Sequence, residues 1–225
     1  MQKDIFIAGT DTGVGKTVVT AAILHALQKQ GKTTIGMKPI ASGCQVTPGG
    51  LRNEDAECLI QHSSIEMPYS VVNPFAFEPA IAPHLAAQIS QTDIDLQVID
   101  EHYQTISAAC DHAIVEGVGG WLVPINSRYN MADLVRLLDL RVVLVVGMRL
   151  GCINHALLSY QAIVDCGLYC EGWVANIIDS DMDYVGENII AIRSRINAPL
   201  IGMLAYSKNL SIPKISESLD IHRLI

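Results

Sequence analysis

Positive charge is scarce in this sequence: 15 Lys and Arg stand against 23 Asp and Glu among 225 residues, a formal net charge of −8. A molecule so charged repels a phosphate backbone over its surface as a whole, which excludes nucleic acid as the main partner. Charge of either sign is sparse, at 17% against 50% hydrophobic residues, so the chain is not intrinsically disordered and can bury a substantial core. No apolar run approaches the ~18 residues of a membrane span, and residues 5–8, next to the amino terminus, are too short a run for a secretory leader. None of the cysteines (Cys44, Cys58, Cys110, Cys152, Cys166, Cys170) forms a C-x-x-C pair, so they read as small buried hydrophobes of a reducing compartment rather than zinc or redox ligands. No Pro, Gly or Ser-rich linker divides the chain, and the expectation is a single cytoplasmic domain over residues 1–225. No Cys-His or Ser-His-Asp arrangement supports a glutaminase or hydrolase module.

Short apolar segments alternate with segments of helical period. Residues 5–8 lead into Gly9-Thr10-Asp11-Thr12-Gly13-Val14-Gly15-Lys16-Thr17 and then into residues 18–30, where Val18, Ala21, Ala22, Leu24 and Leu27 share a helical face. Strands are expected at 33–37, 113–115, 141–146, 172–176 and 200–204. Helices are expected from Thr92 or Asp93 to about 109, and at 131–138, 153–166 and 184–196. Alternation of this kind means an α/β fold with a mostly parallel β-sheet flanked by helices. In such a sheet the carboxyl ends of all strands share one edge, so Gly9 to Thr17, Lys38 to Ser42, Glu116 to Gly120, Gly147 to His155, Asn176 and Ala205 fall on one rim.

Three features of that rim carry chemistry. The glycine-rich turn is similar to a Walker A loop, in which backbone N–H groups surround phosphates, Lys16 supplies a point charge and the Thr17 hydroxyl reaches Mg²⁺. Its first glycine, Gly9, lies one residue earlier than the strict pattern requires, where Thr10 stands. The apolar strand Ile114-Val115-Glu116 is similar to a Walker B strand with Glu for Asp, a carboxylate that can ligate Mg²⁺ directly or through water. Lys38 follows the second strand. A nucleotide switch needs one lysine, whereas transfer of phosphate to another anion needs further positive charge, which a second lysine provides. His84, His112 and His155 lack metal-ligand spacing, and Trp121 and Trp173 read as packing anchors.

These motifs, with Lys38-Pro39-Ile40-Ala41-Ser42-Gly43, Asn73-Pro74-Phe75, Pro83-His84, Val115-Glu116-Gly117-Val118-Gly119-Gly120-Trp121, Leu150-Gly151-Cys152-Ile153-Asn154-His155 and Gly172-Trp173-Val174-Ala175-Asn176, closely resemble the dethiobiotin synthetases, P-loop enzymes of biotin biosynthesis. The resemblance spans residues 5 to about 204. It implies a ligase that turns 7,8-diaminononanoate, CO₂ (or bicarbonate) and ATP, with Mg²⁺, into dethiobiotin, ADP and phosphate through a carbamate and its phosphorylated form. It further implies that Gly13, Val14, Gly15, Lys16, Thr17 and Val18 bind the phosphates, that Thr17, Asp55 and Glu116 surround the metal, and that Lys38 with Lys16 is catalytic. Glu116, Gly117, Val118 and Gly119 would line the nucleotide site, with Asn176 and Ile177 at the adenine. Thr12 would bind substrate, Ser42 the diamine or its carbamate, and Gly151, Cys152, Ile153 and Asn154 the substrate carboxylate from the partner subunit of a homodimer.

The sequence departs from the family at Ala205, where proline is usual, which puts base contacts there in doubt, and at Ala82, where serine is usual. Two other classes share parts of the pattern. A partitioning-type ATP switch carries an additional lysine near the start of the loop, where this chain has Asp11, and no basic or amphipathic tail is evident. A cobyrinate amidase-like synthetase needs a glutaminase domain for which this chain lacks length and nucleophile.

Overall fold

The computed structural model describes residues 4–207, 211–222 and 224; residues 1–3, ahead of the first apolar run, lie outside them. In chain order the elements are β1 (Ile5–Gly9), α1 (Lys16–Lys29), β2 (Thr34–Met37), β3 (Ile40–Ser42), β4 (Gln45–Thr47), β5 (Gly50–Arg52), α2 (Glu54–His62), α3 (Tyr69–Val72), β6 (Phe75–Phe77), α4 (Pro83–Ile89), α5 (Leu96–Ala109), β7 (His112–Glu116), α6 (Met131–Leu137), β8 (Arg141–Met148), α7 (Cys152–Asp165), β9 (Cys170–Ile177), α8 (Val185–Arg193), β10 (Leu200–Leu204) and α9 (Ile212–Ser216). Six strands form one sheet in the order β10-β9-β8-β1-β7-β2, every pair parallel.

Its strands are apolar at successive positions because both faces are covered. Ile5, Ile7, Val143, Val145 and Val174 pack on one side with Val19, Ile23, Leu24 and Leu27 of α1 and Leu59 of α2. Phe6, Ala8, Leu144, Val146 and Trp173 pack on the other with Ile99 and Ile106 of α5, Leu134 of α6, Ala156 and Ile163 of α7 and Ile192 of α8. Each fully buried Ile, Leu or Val contributes roughly 1.5–3 kcal/mol by transfer from water. Trp173 is fully buried, and Trp121 meets Phe6 edge to face at 6.3 Å, so both tryptophans are packing anchors.

Helix starts depart from the sequence expectation in two instructive places. The first helix begins at Lys16 rather than Val18, with Gly15 at its N-cap in the left-handed region (φ 88), which draws Lys16 and Thr17 into the first helical turn. The fifth is capped by Asp95 rather than Thr92 or Asp93: Asp95 accepts from the Gln97 N–H, whereas the Thr92 N–H donates to Ala87 and closes α4. A segment the sequence reading left without structure, between β2 and α5, builds the small parallel pair β3-β6, the hairpin β4-β5 and three helices.

Neither edge of the large sheet is open. Along β2 and just past its end, the N–H groups of Thr34, Gly36 and Lys38 donate to the hydroxyls of Ser64 and Ser63 and to the carbonyl of Val72. On β10, Gly202 bridges Leu219 and the Asp220 N–H donates to Ile201.

Candidate active site

Register places the chemistry. Ile7 of β1 pairs with Glu116 at the end of β7, and Met37 of β2 pairs with Val115, so Lys38 emerges one residue beyond the ladder beside Glu116. The Thr10 N–H donates to Val145 of β8, and the chain then turns through Gly13 and Gly15, both at positive φ, into α1. These carboxyl ends enclose a cavity of about 650 Å³.

Lys38 is 3% exposed and Glu116 1%. The Lys38 ammonium donates to Glu116 Oε1 at 2.6 Å, to Asp55 Oδ2 at 3.0 Å and to the Gly117 carbonyl at 3.1 Å. Burial alone would push the Lys38 pKa down, but the two carboxylates outweigh it and hold the ammonium above its ordinary value. Asp55 is pulled below the usual carboxylate range because Lys38 and the Thr17 hydroxyl outweigh the effect of its partial burial. Thr17 donates within 2.8 Å of Asp55 and lies 3.0 Å from Glu116. Lys16 donates to the carbonyls of Asp11 at 3.0 Å and Gly119 at 2.9 Å; burial, then repulsion from Lys38, bring its pKa down to about 8 against the pull of Glu116, Asp55 and Asp11.

A relay sets the spacing between the lysine and the acid. Asn53 caps α2, which carries Asp55 in its first turn, and the Asn53 N–H donates to the Tyr69 hydroxyl. That hydroxyl donates to Asn73 Oδ1 at 2.9 Å, and Asn73 Nδ2 donates to the Lys38 carbonyl at 2.6 Å. Asn73 is 3% exposed, so the only way its amide can be satisfied is through such partners. The sequence motif Asn73-Pro74-Phe75 contained this clamp, but spacing gave no role for it.

Of the residues expected at the site, Thr12, Gly13, Gly15, Lys16, Thr17, Val18, Lys38, Ser42, Asp55, Glu116, Val118 and Gly119 line the cavity. Val14 lies beneath the loop at 1% exposure, and Gly117 faces Lys38 with its carbonyl. Asn176 lines a neighbouring cavity of about 250 Å³ with Val18, Leu204 and Ala205, while Ile177 is half-buried outside both. Gly151, Cys152, Ile153 and Asn154, at the start of α7, line neither. Ala41, placed on the rim by sequence but given no role, lines the larger cavity as well; sequence reading missed Asn53, Ala80, Ile81, Pro83 and Val123 as lining residues, and Ala82 joins them. It also missed the ion pair of Arg149, at the end of β8, with Asp11 of the loop. A charge directly after an apolar strand was the only signal for it.

The set around Thr17 suits a hard divalent cation. Its donors are oxygens, and Glu116 Oε2 is buried without a hydrogen-bond partner among the described residues. Two carboxylates and a hydroxyl are the small protein share that Mg²⁺ takes when substrate phosphates supply the remainder.

The whole length of the chain has close relatives. ATP-dependent dethiobiotin synthetases BioD of Pseudomonas paraeruginosa and Nitrosospira multiformis are each 46% identical to it, over 220 and 224 residues, covering 97% and 100% of this chain and 96% and 97% of theirs. The chain belongs to the dethiobiotin synthetase family. The family model described as AAA domain matches residues 3–214 of this synthetase. Among solved structures, a ParA family ATPase from Chlorobium tepidum superimposes with a TM-score of 0.58 at 12% identity, covering 92% of the synthetase and 86% of that chain, which shows a shared P-loop fold. Among the described residues no helix is long and apolar enough to cross a membrane.

Proposed function

We propose that this protein closes the ureido ring of dethiobiotin from 7,8-diaminononanoate, CO₂ and ATP, as a ligase of biotin biosynthesis. The observation that carries the reading is the pairing of two buried ammonium groups, Lys16 and Lys38, in one cavity with a phosphate loop. The reaction joins two anions, a carbamate and a triphosphate, and each must be held against the other's charge.

In the first step an amine nitrogen adds to the carbon of CO₂ and loses a proton, giving a carbamate. A carbamate oxygen then attacks the γ-phosphorus and ADP leaves. The second amine attacks the carbonyl carbon of the resulting mixed anhydride, phosphate leaves and the ring closes. Lys16 and the loop from Gly13 to Val18 hold the polyphosphate. Lys38, pinned by Glu116 and Asp55, keeps its charge throughout and lies against the carbamate and the phosphoryl group in transfer. The Ser42 hydroxyl is buried, lines the cavity and has no partner among the described residues, so it is available to the carbamate or a diamine nitrogen. Ala80, Ile81, Ala82 and Pro83 give the methylene chain an apolar wall.

Thr17, Asp55 and Glu116 would hold Mg²⁺, which when bound neutralises phosphate charge and orients the transfer. Val18 lines both cavities, so a nucleotide held at the phosphate loop can place its base beside Asn176. Residues 151–154 line neither cavity at the phosphate loop, and the resemblance to the dethiobiotin synthetases supports assigning them to the site of a partner in a homodimer. There the start of the 14-residue α7 offers amide N–H groups to the substrate carboxylate. The protein acts in the cytoplasm as a single domain.

Purified protein given the diamine, bicarbonate, Mg²⁺ and ATP is expected to yield dethiobiotin and ADP in equal amounts by mass spectrometry. ATP hydrolysis indifferent to the diamine, with no cyclic product, would refute the reading.

A further inference from the structure

Asn176 does something that reading a base does not require. Its backbone, at the end of β9, is fixed from both sides by pairing with Gly147 of β8 and Leu204 of β10. From there its side-chain Nδ2 donates to the carbonyl oxygen of Val14, in the phosphate loop, at 2.8 Å. The loop leaves room for this contact: Gly15 has φ +88, and a Cβ there would stand 2.1 Å from Asn176 Nδ2. Gly147 opens space for the same stretch of loop, since a Cβ on it would lie 2.8 Å from Val14 Cγ1. A trans peptide is planar, with its C=O and N–H pointing in opposite directions. Fixing the Val14 carbonyl toward Asn176 therefore fixes the Gly15 N–H away from it, and Gly15 lines the phosphate cavity.

We infer that Asn176 is a positioning residue of the phosphate loop: by holding the Val14 carbonyl it aims the Gly15 amide at the polyphosphate, whatever base the nucleotide carries. The inference rests on the phosphate-binding role of the loop given under the proposed function. It separates two duties of one amide, with Nδ2 committed to the loop and Oδ1 left for the neighbouring cavity.

The test is calorimetric titration of the full-length protein with Mg-ATP and with Mg-tripolyphosphate, which has neither base nor ribose. Asn176→Ala removes the amide. Asn176→Asp keeps its shape but has no N–H to donate. Both variants are expected to weaken tripolyphosphate by about tenfold and ATP by at least the same factor, for one lost hydrogen bond in a fixed site. In ¹⁵N spectra of the ligand-free protein the Gly15 amide is expected to shift in both variants while resonances of β8 and β9 away from the loop stay in place. Weakened ATP binding with unchanged tripolyphosphate binding and an unmoved Gly15 resonance would overturn the inference and leave Asn176 a reader of the base. Wild-type protein that binds neither ligand would overturn the phosphate-loop reading and the inference with it.

Discussion

At the scale of single residues, the site shows how an acidic chain can bind a triphosphate. Lys38 is held charged because the carboxylates of Glu116 and Asp55 face it, and Asp55 is held below the usual carboxylate range because Lys38 and Thr17 face it. Such a buried cluster contributes little net stability, since desolvation offsets most of the attraction; what it supplies is a fixed position. Lys16 is different. It has carbonyl partners and no contacting carboxylate among the described residues, and burial with the nearby Lys38 lowers its pKa to about 8. The sign of the resulting pH dependence follows directly. Ligand-free Lys16 loses its proton as pH rises through about 8, whereas a bound polyphosphate favours the charged form and raises the pKa. ATP binding is therefore expected to take up a proton above pH 8 and to weaken as pH rises further, while little proton uptake is seen about a unit or more below pH 8. Calorimetry in buffers of different ionisation enthalpy measures this directly. Proton uptake absent across that range would show that Lys16 is fully charged before ATP arrives.

At the scale of elements, the spacing of α1, α2 and β2 decides whether Lys38 meets Asp55. Gly36 sits where these elements press together: a Cβ there would lie 2.8 Å from Leu59 Cβ and 3.1 Å from Leu24 Cδ1. Gly36→Ala is expected to destabilise the fold by about 1–3 kcal/mol, because the nearest neighbour is a Cβ attached directly to the α2 backbone and the next a methyl of a fully buried leucine, neither a flexible tip. Urea unfolding measures the loss, and a change below about 0.5 kcal/mol would mean that α2 gives way at no cost. The elements of the large sheet were legible in the sequence because they are long and apolar on both faces, as residues 141–146 illustrate. Those between β2 and α5 were not. Three-residue strands such as β4, with Gln45 and Val46 exposed, carry no periodic signal, and α2 buries only Ala56 and Leu59. The loop, Lys38, Asp55 and Glu116 were legible from motif and resemblance. Asn73, Tyr69 and the Arg149 to Asp11 pair were not, because their partners are set by tertiary contact and not by spacing along the chain.

At the scale of the whole molecule, the cavity is open to completion from outside. Leu150, at 95% exposure, stands just ahead of α7 and Leu158, at 62%, lies midway along it, an apolar display of the kind that marks a contact surface. If α7 serves the partner's cavity, a Lys38 defect in one subunit and an α7-loop defect in the other fall in the same site of a mixed dimer and leave the second site whole. Lys38→Ala alone is expected to lower turnover at least about 100-fold, equivalent to ~2.7 kcal/mol of transition-state stabilisation. Asn154→Asp, which sets a carboxylate against that of the substrate, is expected to raise the KM for the diamine. Heterodimers of the two variants hold one site with both parts intact and, at diamine concentrations well below the raised KM, are expected to exceed the activity of either variant alone. Verified heterodimers without recovery would confine each site to one chain.

The closed edges of the sheet have a consequence for how such a dimer can form. Ser63, Ser64 and Val72 take up the outward N–H groups of Thr34, Gly36 and Lys38, and residues 219 and 220 cover β10, so among the described residues both ends of the ladder are blocked to a strand of a neighbouring chain. Strands this apolar would otherwise template stacking between molecules. Any pairing of copies is thus left to helix and loop faces, where a two-fold contact closes on itself instead of growing open-ended.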